Sequence, residues 1–497
     1  MININPLPLL AYKVGPNLFD LSSQMHNVSM RDQMHRGVTL AEALVAGKQF
    51  EGPNSSAQVL IVGAGVAGVA AAIVLARHKI EVQIIDSSAN APFVLQKQAT
   101  QRYVGPYMYE WPLDVYKSQR LPPNPYSELA GWENGCEPPL RFETEKPEEP
   151  AKLAQAWEEQ LQQAIAASAG LLKISVGVSS AQTNVDIKNW LVAQRSAFSQ
   201  VLDFAKQSVT ITGGTPWANS ALFTNDFFPR FVILAIGMGA ETNSLTGVNG
   251  TSTKYGVSFW GNDTWLRNQC GMRMPPSIAV LGGGDGALQD VLRALTMHKH
   301  PLDTWNLLAA QDSMGLFAGC QQTVLALEQQ HAQISIWENF DPIRGSANQP
   351  LDKAYGDLAK RLAQFPRIVD LTLSLIREDV SRVTLYLRDS HFSKAYALNR
   401  FLVHLFEQCV KMKGASNLPL TFEILRKKVL KNAAKFGSQT ILNFEDGTSQ
   451  TVDLIAVRFG ADQSKLPGTW LGLTKQDTAN RQELAAIPLP LYLPPTK

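Results

Sequence analysis

A chain of 497 residues is too long for one ordinary hydrophobic core and predicts two or three domains. Its hydrophobic fraction of 45% is typical of a globular enzyme, and a formal net charge of +2 provides no strong field to attract nucleic acid or a membrane surface. No stretch reaches the roughly 18 uncharged apolar residues of a membrane span, and no signal peptide is recognisable, so we expect a cytoplasmic protein.

Residues 1–56 form an N-terminal arm ahead of the first nucleotide-binding pattern. The helical pattern in this arm begins at Thr39, a candidate N-cap, and ends at Gly47, a typical C-terminal stop. We expect the arm to stabilise the domain that follows it. A cover over a cofactor and a homodimer contact are the alternatives.

The strongest pattern of the chain predicts a strand, a glycine turn, a helix and a second strand over Gln58–Asp86. Val59–Val62 is an apolar, β-branched run typical of a strand buried on both faces. In the turn, Gly63 permits the tight bend, Gly65 lets the backbone approach a pyrophosphate, and Gly68 lets the helix pack closely on the strand. The other residues of this fingerprint are Ala64, Val66 and Ala67.

Asp86 ends the second strand of this unit, where an acid can accept hydrogen bonds from ribose hydroxyls, and Ser87 follows it. The N-terminus of the intervening helix offers free N–H groups and a positive dipole end to phosphates. The unit therefore predicts an adenine dinucleotide site, with FAD and NAD both open.

An aromatic, glycine- and proline-containing loop follows at Arg102–Pro112. Arg102 is a candidate for pairing with a phosphate or a substrate carboxylate, and Trp111 for walling a flat ring. The alternative is an aromatic cluster that only packs the loop. Phe231–Gly237 is an apolar strand whose final glycine, Gly237, would let a cofactor approach the backbone. We place the first domain at 57–275.

The four cysteines, Cys136, Cys270, Cys320 and Cys409, form no CxxC pair and no Cys/His cluster. This spacing predicts isolated buried thiols, with no metal site and no redox-active dithiol.

A second nucleotide-binding pattern begins at Pro276, with Ile278–Leu281 as its buried strand. The turn contains Gly282, Gly284, Asp285, Gly286 and Ala287, with alanine as a permitted third fingerprint residue. A carboxylate at Asp285 would repel phosphates unless it points away or binds a cation. The alternative is a unit of this shape that has lost its ligand.

The best candidate for the second strand of this unit is Gln333–Glu338, after an insertion or a lengthened helical region over His298–Gln321. Glu338 would then bind the ribose and favour NADH over NADPH. Further on, helices are predicted over Ala354–Leu362 and Tyr396–Cys409, and a strand over Arg382–Leu387.

The end of the second domain, which we place at 276–460, contains a hairpin signal at Asp446–Gly447. Its second strand is predicted to run from Thr451 through to Gly460, a glycine expected beside a cofactor. Residues 461–497 are expected to form a tail on the first domain.

The order of these motifs resembles the flavoproteins with two dinucleotide-binding domains, which include flavin monooxygenases, N-hydroxylases and pyridine-nucleotide reductases. The matching features are Gly63, Gly65, Gly68 and Asp86 as the FAD site, Ala235–Gly237 as the alanine-threonine-glycine strand end with Ile236 replacing threonine, Gly282–Ala287 as the pyridine-nucleotide turn, and Asp453–Gly460 as the closing strand. Arg458, Phe459 and Gly460 depart from the usual closing pattern.

The resemblance implies an α/β fold with two Rossmann-like FAD/NAD(P)-binding domains, here with an N-terminal arm and helical insertions. It also implies bound FAD, reduced by NADH or NADPH and reoxidised by oxygen or another acceptor. The first interpretation is therefore a monooxygenase-like oxidoreductase acting on a small molecule. The alternatives are an FAD-dependent amine or amino-acid oxidase with a degenerate second site, and a non-enzymatic FAD or NAD sensor. No residue can be named as a general base.

Overall fold

Two sheets of mainly parallel strands, packed with helices, carry the two glycine turns of the chain. The structure is a computed structural model, and it describes residues 9, 12–21, 29–47, 50, 58–99, 102–105, 111–112, 137–144, 146–198, 207–220, 226–237, 239, 241–261, 275–296, 298–338, 348–393, 395–414, 418–460 and 471. The predicted α/β class with Rossmann-like nucleotide-binding units is confirmed. Within these residues, no helix combines the length and the apolarity that crossing a bilayer requires.

The first unit is built on a seven-stranded sheet. The strands of this part of the chain are β1 (Lys13–Gly15), β2 (Leu18–Asp20), β3 (Gln58–Val62), β4 (Glu81–Asp86), β5 (Leu172–Val178), β6 (Val209–Thr210), β7 (Gly213–Pro216), β8 (Asp226–Phe227) and β9 (Phe231–Leu234). The sheet has the order β1-β2-β9-β3-β4-β5-β7, and β3 lies between β4 and β9 with parallel pairing on both sides. Because β2 pairs with β9, the N-terminal arm is part of this sheet.

The helices of the first unit are α1 (Met30–Ala46), α2 (Val66–Arg77), α3 (Val94–Gln98), α4 (Pro150–Ala167) and α5 (Ser180–Phe198). Helix α2 is buried on all sides up to Ala76, as its uniformly apolar sequence requires. Helix α1 packs directly on it, since a Cβ atom added at Gly37 would lie 2.3 Å from the carbonyl oxygen of Ala67.

Helix α1 is longer than predicted, although it ends before Gly47 as expected. Its N-cap is Ser29, whose side chain accepts from the backbone nitrogen of Asp32, while Asp32 accepts from that of Ser29. This reciprocal capping box satisfies two N–H groups at the helix start. The predicted N-cap, Thr39, is instead a buried residue within the helix.

The second unit has a four-stranded parallel sheet in the order β14-β13-β12-β18. The strands of this half are β10 (Ser244–Thr246), β11 (Ser252–Lys254), β12 (Ser277–Leu281), β13 (Arg382–Tyr386), β14 (Thr421–Leu425), β15 (Leu430–Phe436), β16 (Gln439–Phe444), β17 (Ser449–Val452) and β18 (Leu454–Val457). Its helices are α6 (Asp285–Leu295), α7 (Pro301–Ala310), α8 (Leu316–Glu338), α9 (Asn348–Leu362), α10 (Pro366–Leu373) and α11 (Ala397–Lys413).

The strand predicted over Gln333–Glu338 is wrong, because these residues form the last part of helix α8. The isoleucines of this segment favour a strand locally, but the helix that begins at Leu316 continues through them. Helices α7 to α10 are all inserted after α6, and the second strand of the unit is β13.

The predicted hairpin at Asp446–Gly447 is formed by β16 and β17, but its second strand does not run on to Gly460. At Asp453 the chain leaves the hairpin, and β18 pairs parallel with β12 in the main sheet. The Asp453 carboxylate accepts hydrogen bonds from the backbone nitrogen (2.8 Å) and the hydroxyl (2.7 Å) of Ser277, which anchors this change of sheet. The predicted tail at 461–497 lies outside the described residues apart from Leu471.

Candidate functional site

The glycines of the first turn divide into two that are needed for packing and one that faces open space. A Cβ at Gly63, where φ is +111°, would lie 2.3 Å from the oxygen of Ala235, and one at Gly68 would lie 2.2 Å from the oxygen of Gly63. A Cβ at Gly65 would meet nothing within 4 Å. Gly65 therefore leaves room for a ligand at the N-terminus of α2, and this cradle fits a dinucleotide pyrophosphate.

Asp86 closes the first turn from the adjacent strand. Its two carboxylate oxygens accept hydrogen bonds from the backbone nitrogens of Ala64 and Ser88, each at 2.8 Å. Each oxygen keeps further acceptor capacity, and Asp86 and Ser87 both line the cleft in front of the turn. The carboxylate is therefore held at the strand end where a ribose would bind.

The second turn repeats the backbone arrangement of the first. Gly282 has a φ of +138°, and a Cβ there would lie 2.2 Å from the oxygen of Arg458. Gly284 caps α6 with extended backbone, as Gly65 caps α2. Ala287 is buried beneath the turn, at the position where the first turn has Gly68.

The Asp285 carboxylate points away from the phosphate position of the second turn. It accepts hydrogen bonds from the backbone nitrogen of Tyr396 (3.0 Å) and from the side-chain amides of Asn399 (2.7 Å) and Gln289 (2.8 Å). Burial raises the pKa of Asp285, while these hydrogen bonds oppose the increase. Asp285 therefore connects α6 to the start of α11, and the N-terminus of α6 can still receive an anion.

The acid of the first site has no counterpart at the end of β13. Gly63 donates to the carbonyl of Ile85 immediately before Asp86, and Gly282 donates in the same way to the carbonyl of Tyr386 immediately before Leu387. Leu387 thus replaces the acid, and the exposed side chain of Arg388 follows it. The prediction that Glu338 stands at a strand end is wrong, because Glu338 ends helix α8.

Both turns open into one cleft of about 1810 Å³. This volume exceeds the roughly 300–1,000 Å³ of a typical small-molecule site and is large enough for two dinucleotides. The strand ends at Gly237 (φ +80°) and Gly460 (φ +82°) face it, and the backbone nitrogen of Thr242 donates to the oxygen of Gly460 at 2.8 Å. The predicted site residues that line this cleft are Gly63, Ala64, Gly65, Val66, Ala67, Asp86, Ser87, Gly237, Gly282, Gly284, Asp285, Gly286 and Gly460.

Arg102 does not line the cleft and does not face a phosphate site as predicted. Its side chain is 2% exposed and donates to the Asp290 carboxylate at 2.7 Å and to the carbonyl of Phe259 at 2.6 Å. Arg458 and Arg293 also donate to Asp290, at 2.7 and 3.2 Å. Burial acts to raise the pKa of Asp290, but the three guanidinium groups outweigh it and hold the pKa well below its usual range.

Trp111 also lies outside the cleft. It is buried between helices α7 and α11, where its ring stacks on Phe401 at a centroid distance of 5.7 Å and meets Trp305 edge-on at 4.9 Å. The prediction that Trp111 walls a flat cofactor ring is therefore wrong, and Trp111 packs helices α7 and α11 together instead. Of the other aromatic residues in this loop, Tyr107 and Tyr109 lie outside the described residues, and the Tyr103 hydroxyl donates to Glu149 at 3.0 Å.

Two of the four cysteines, Cys320 and Cys409, are free and buried in the helical part of the second unit. Burial raises the pKa of each thiol to about 12, which suppresses thiolate chemistry. Cys136 and Cys270 lie outside the described residues. Among the residues that the structure does describe, no cluster of three side chains suited to hold a metal is present.

Several residues that shape the site carry no recognisable signal in the sequence. Leu387 and Arg388 sit at the end of a strand that was predicted, but the length of the insertion hid its pairing with β12. Asp290 looks like an ordinary helical residue, and Tyr396 and Asn399 belong to a helix predicted only as core. The one sequence signal for this group of residues is Arg458, which departs from the usual pattern of the closing strand and which bonds Asp290 in the structure.

Two Rossmann-like units whose glycine turns share one cleft define the class of flavoproteins with two dinucleotide-binding sites. Within that class, residues 57–290 match the family described as Pyridine nucleotide-disulphide oxidoreductase. This match covers a little under half of the chain, and it supports an FAD- and NAD(P)-dependent oxidoreductase because members of the matched family use FAD and NAD(P)H. A comparison with curated proteins finds no match.

The chain is also similar to solved structures at low sequence identity. The bacillithiol disulfide reductase Bdr (YpdA) from Staphylococcus aureus is 12% identical with a TM-score of 0.34, covering 82% of this chain and 76% of that one. A pyridine nucleotide-disulfide family oxidoreductase from Enterococcus faecalis V583 is 9% identical with a TM-score of 0.32. The similarity covers 81% of this chain and 52% of that one. The HOCl-induced flavoprotein disulfide reductase RclA from Escherichia coli is 12% identical with a TM-score of 0.31. The similarity covers 84% of this chain and 60% of that one. This chain therefore spans about half the length of the Enterococcus faecalis oxidoreductase and about three fifths of the length of RclA.

Proposed function

We propose that the chain takes two electrons from NADPH and passes them through FAD to oxygen, of which one atom enters a small molecule and the other leaves as water, as in a monooxygenase. The observation that carries this proposal is the single cleft onto which both glycine turns open. The chemistry that the cofactors supply when bound is hydride transfer from the nicotinamide ring to FAD, which then gives up two electrons to an acceptor.

The chain's own residues divide between the two nucleotides. Gly65 and the N-terminus of α2 would hold the FAD pyrophosphate, and Asp86 would accept from its ribose hydroxyls. Gly284 and the N-terminus of α6 would hold the pyrophosphate of the second nucleotide. The strand-end glycines Gly237 and Gly460 keep side chains away from the region between the two sites.

The end of β13 favours NADPH as the electron donor. Leu387 offers no carboxylate to a 2′-hydroxyl, and it removes the charge that would repel a 2′-phosphate. Arg388, Lys428 and Lys431 line the cleft as cations, together with the Asp389 carboxylate, which lies 3.8 Å from Arg388. An exposed guanidinium beside the ribose position is suited to bind a phosphate in two hydrogen bonds.

Oxygen is proposed as the acceptor because the described thiols are not placed for disulfide chemistry. Cys320 and Cys409 are buried and do not line the cleft, and the sequence contains no CxxC pair. A redox dithiol needs two adjacent thiols, at least one of them accessible as thiolate. This point separates the proposal from reduction of a disulfide by the chain's own cysteines.

The test is NADPH oxidation by the FAD-loaded chain in air, with oxygen consumption followed in parallel. We expect NADPH and oxygen to be consumed together, and the rate to survive in the Cys136→Ser/Cys270→Ser variant. Loss of activity in that variant, or a rate that rises only with an added disulfide, would overturn the choice of acceptor. Reduction of the flavin by an amine or amino acid, with none by NADPH, would favour an oxidase instead.

A further inference from the structure

A buried carboxylate joins the two units on one side of the cleft. Asp290 of helix α6 has no solvent exposure and accepts from Arg102, which belongs to the first unit, and from Arg458 at the end of the closing strand. Arg102 also lies with its guanidinium carbon 3.6 Å from the ring centroid of Phe259, in the segment that leads from one unit to the other. Asp290, Arg102 and Arg458 with Phe259 are called the Asp290 cluster.

A tyrosine joins the two units at a second place. The Tyr396 hydroxyl accepts from the backbone nitrogen of Ser29 at 2.9 Å and donates to the Asp32 carboxylate at 3.1 Å, within the capping box of α1. The backbone nitrogen of the same tyrosine donates to Asp285, the first residue of α6. Tyr396 therefore connects the helix that packs on α2 with the start of the second nucleotide turn.

Both contacts are attached to the elements that carry the cofactor turns. Asp285 and Asp290 lie on α6, which begins at the second turn, whereas α1 packs through Gly37 on the first turn of α2. A shift of one unit against the other would separate Arg102 from the buried Asp290 carboxylate and the Tyr396 hydroxyl from Ser29 and Asp32. Separating Arg102 from Asp290 costs free energy, because a charged group left without a partner in the protein interior is poorly solvated.

We propose that the Asp290 cluster and the Tyr396 contact hold the two units in one fixed orientation, and that Arg102, Asp290 and Tyr396 are positioning residues for hydride transfer. This inference rests on the proposed function, because it assigns a purpose to the orientation of the two cofactor sites. Units joined in one chain commonly move against each other unless their interface resists it. Here hydride transfer proceeds in the orientation of the structure, without a rotation in each turnover.

The experiment measures anaerobic FAD reduction by saturating NADPH in a rapid-mixing instrument, with and without added sucrose. The wild-type rate is expected to be independent of viscosity, because no movement of the units limits it. Arg102→Met leaves Asp290 with two arginine partners, and Tyr396→Phe removes one hydroxyl group. Each variant is expected to reduce FAD about 10- to 100-fold more slowly, as misplaced reactants do, while FAD content and NADPH affinity change by less than about threefold.

Tyr12→Phe is the matched control, because the Tyr12 hydroxyl is buried without a hydrogen-bond partner among the described residues and Tyr12 does not line the cleft. It should reduce FAD at the wild-type rate. The positioning role is overturned if Arg102→Met and Tyr396→Phe also reduce FAD at the wild-type rate and only their melting temperatures fall. It is also overturned if the wild-type rate falls in proportion to viscosity.

Failure of the proposed function is recognisable separately, as wild-type FAD that neither NADPH nor NADH reduces. In that case small-angle X-ray scattering tests whether the two units are held in a fixed orientation. A larger radius of gyration in Arg102→Met than in Tyr12→Phe would support it, and equal radii would overturn it.

Discussion

Leu387 occupies in the second unit the position that Asp86 occupies in the first. In both units the first glycine of the turn donates to the carbonyl that precedes this residue, Gly63 to Ile85 at 2.7 Å and Gly282 to Tyr386 at 3.1 Å. One strand end thus presents a carboxylate and the other an aliphatic side chain followed by Arg388. The two sites share a backbone but differ in the charge offered to the ribose.

We expect Arg388→Ala to lower kcat/KM for NADPH by about 10- to 100-fold, the value of one or two charge-assisted hydrogen bonds. The value for NADH should change by less than about threefold, because NADH has no 2′-phosphate for this guanidinium to bind. Arg382→Ala, at the opposite end of β13, is the control. An equal loss with both nucleotides would show that Arg388 does not read the 2′-phosphate.

Two glycine substitutions in the first turn should fail for different reasons. Gly65→Ala adds a methyl group where nothing lies within 4 Å, so the protein should fold normally and lose FAD from its cleft. Gly68→Ala places its methyl 2.2 Å from the oxygen of Gly63 and should lower the melting temperature of the apoprotein. Flavin content and thermal melting distinguish the two. A Gly65→Ala variant that retains FAD would contradict the assignment.

Asp86→Ala should weaken FAD binding by about 10- to 100-fold, because it removes a charged acceptor for the ribose and two hydrogen bonds that shape the turn. The dissociation constant can be measured by quenching of flavin fluorescence. Glu81→Gln is the control, since Glu81 begins the same strand and pairs with Lys173 away from the cleft. The assignment of Asp86 is wrong if both variants bind FAD equally.

His404 should make the packing of α11 against α9 depend on pH. Burial lowers its pKa, but hydrogen bonds and charge interactions with Asp352 (2.9 Å) and Glu407 (3.5 Å) outweigh burial and raise the pKa above 6.5. The protonated ring therefore stabilises the fold fully below pH 6.5, and this contribution is lost as pH rises through the folded-state pKa.

The surroundings of His404 contain further charges that remain paired without it. Arg400 contacts Asp352, and Arg426 and Lys411 contact Glu407. Melting temperatures of wild type should therefore fall more steeply than those of His404→Gln as the pH rises above 6.5. His78→Gln, at an exposed histidine, is the matched control. Parallel curves for wild type and His404→Gln would contradict this prediction.

The sequence was sufficient to predict the two nucleotide-binding units because each turn depends on local backbone geometry. Gly63, Gly68 and Gly282 have no room for a side chain, and such positions leave a clear trace in the sequence. The apolar strand at Val59–Val62 is likewise set by its own composition. The class of the fold follows from these short segments.

The residues that join the units could not be predicted, because their partners are distant in the chain. The sequence makes Arg102 a candidate partner of a phosphate or a substrate carboxylate, whereas its actual carboxylate partner, Asp290, lies 188 residues further on. The second strand was placed at Gln333–Glu338 because no local signal marks where an insertion ends. Isolated arginines and a helical stretch with isoleucines only acquire their roles from the tertiary packing.

In the proposed function, NADPH bound at the second turn reduces FAD bound at the first. The most direct measurement mixes the FAD-loaded chain with NADPH in the absence of oxygen and follows the flavin band near about 450 nm, where the bound redox cofactor absorbs. We expect NADPH to bleach this band in one turnover, and to do so faster than NADH. A band that persists with both nucleotides would contradict it.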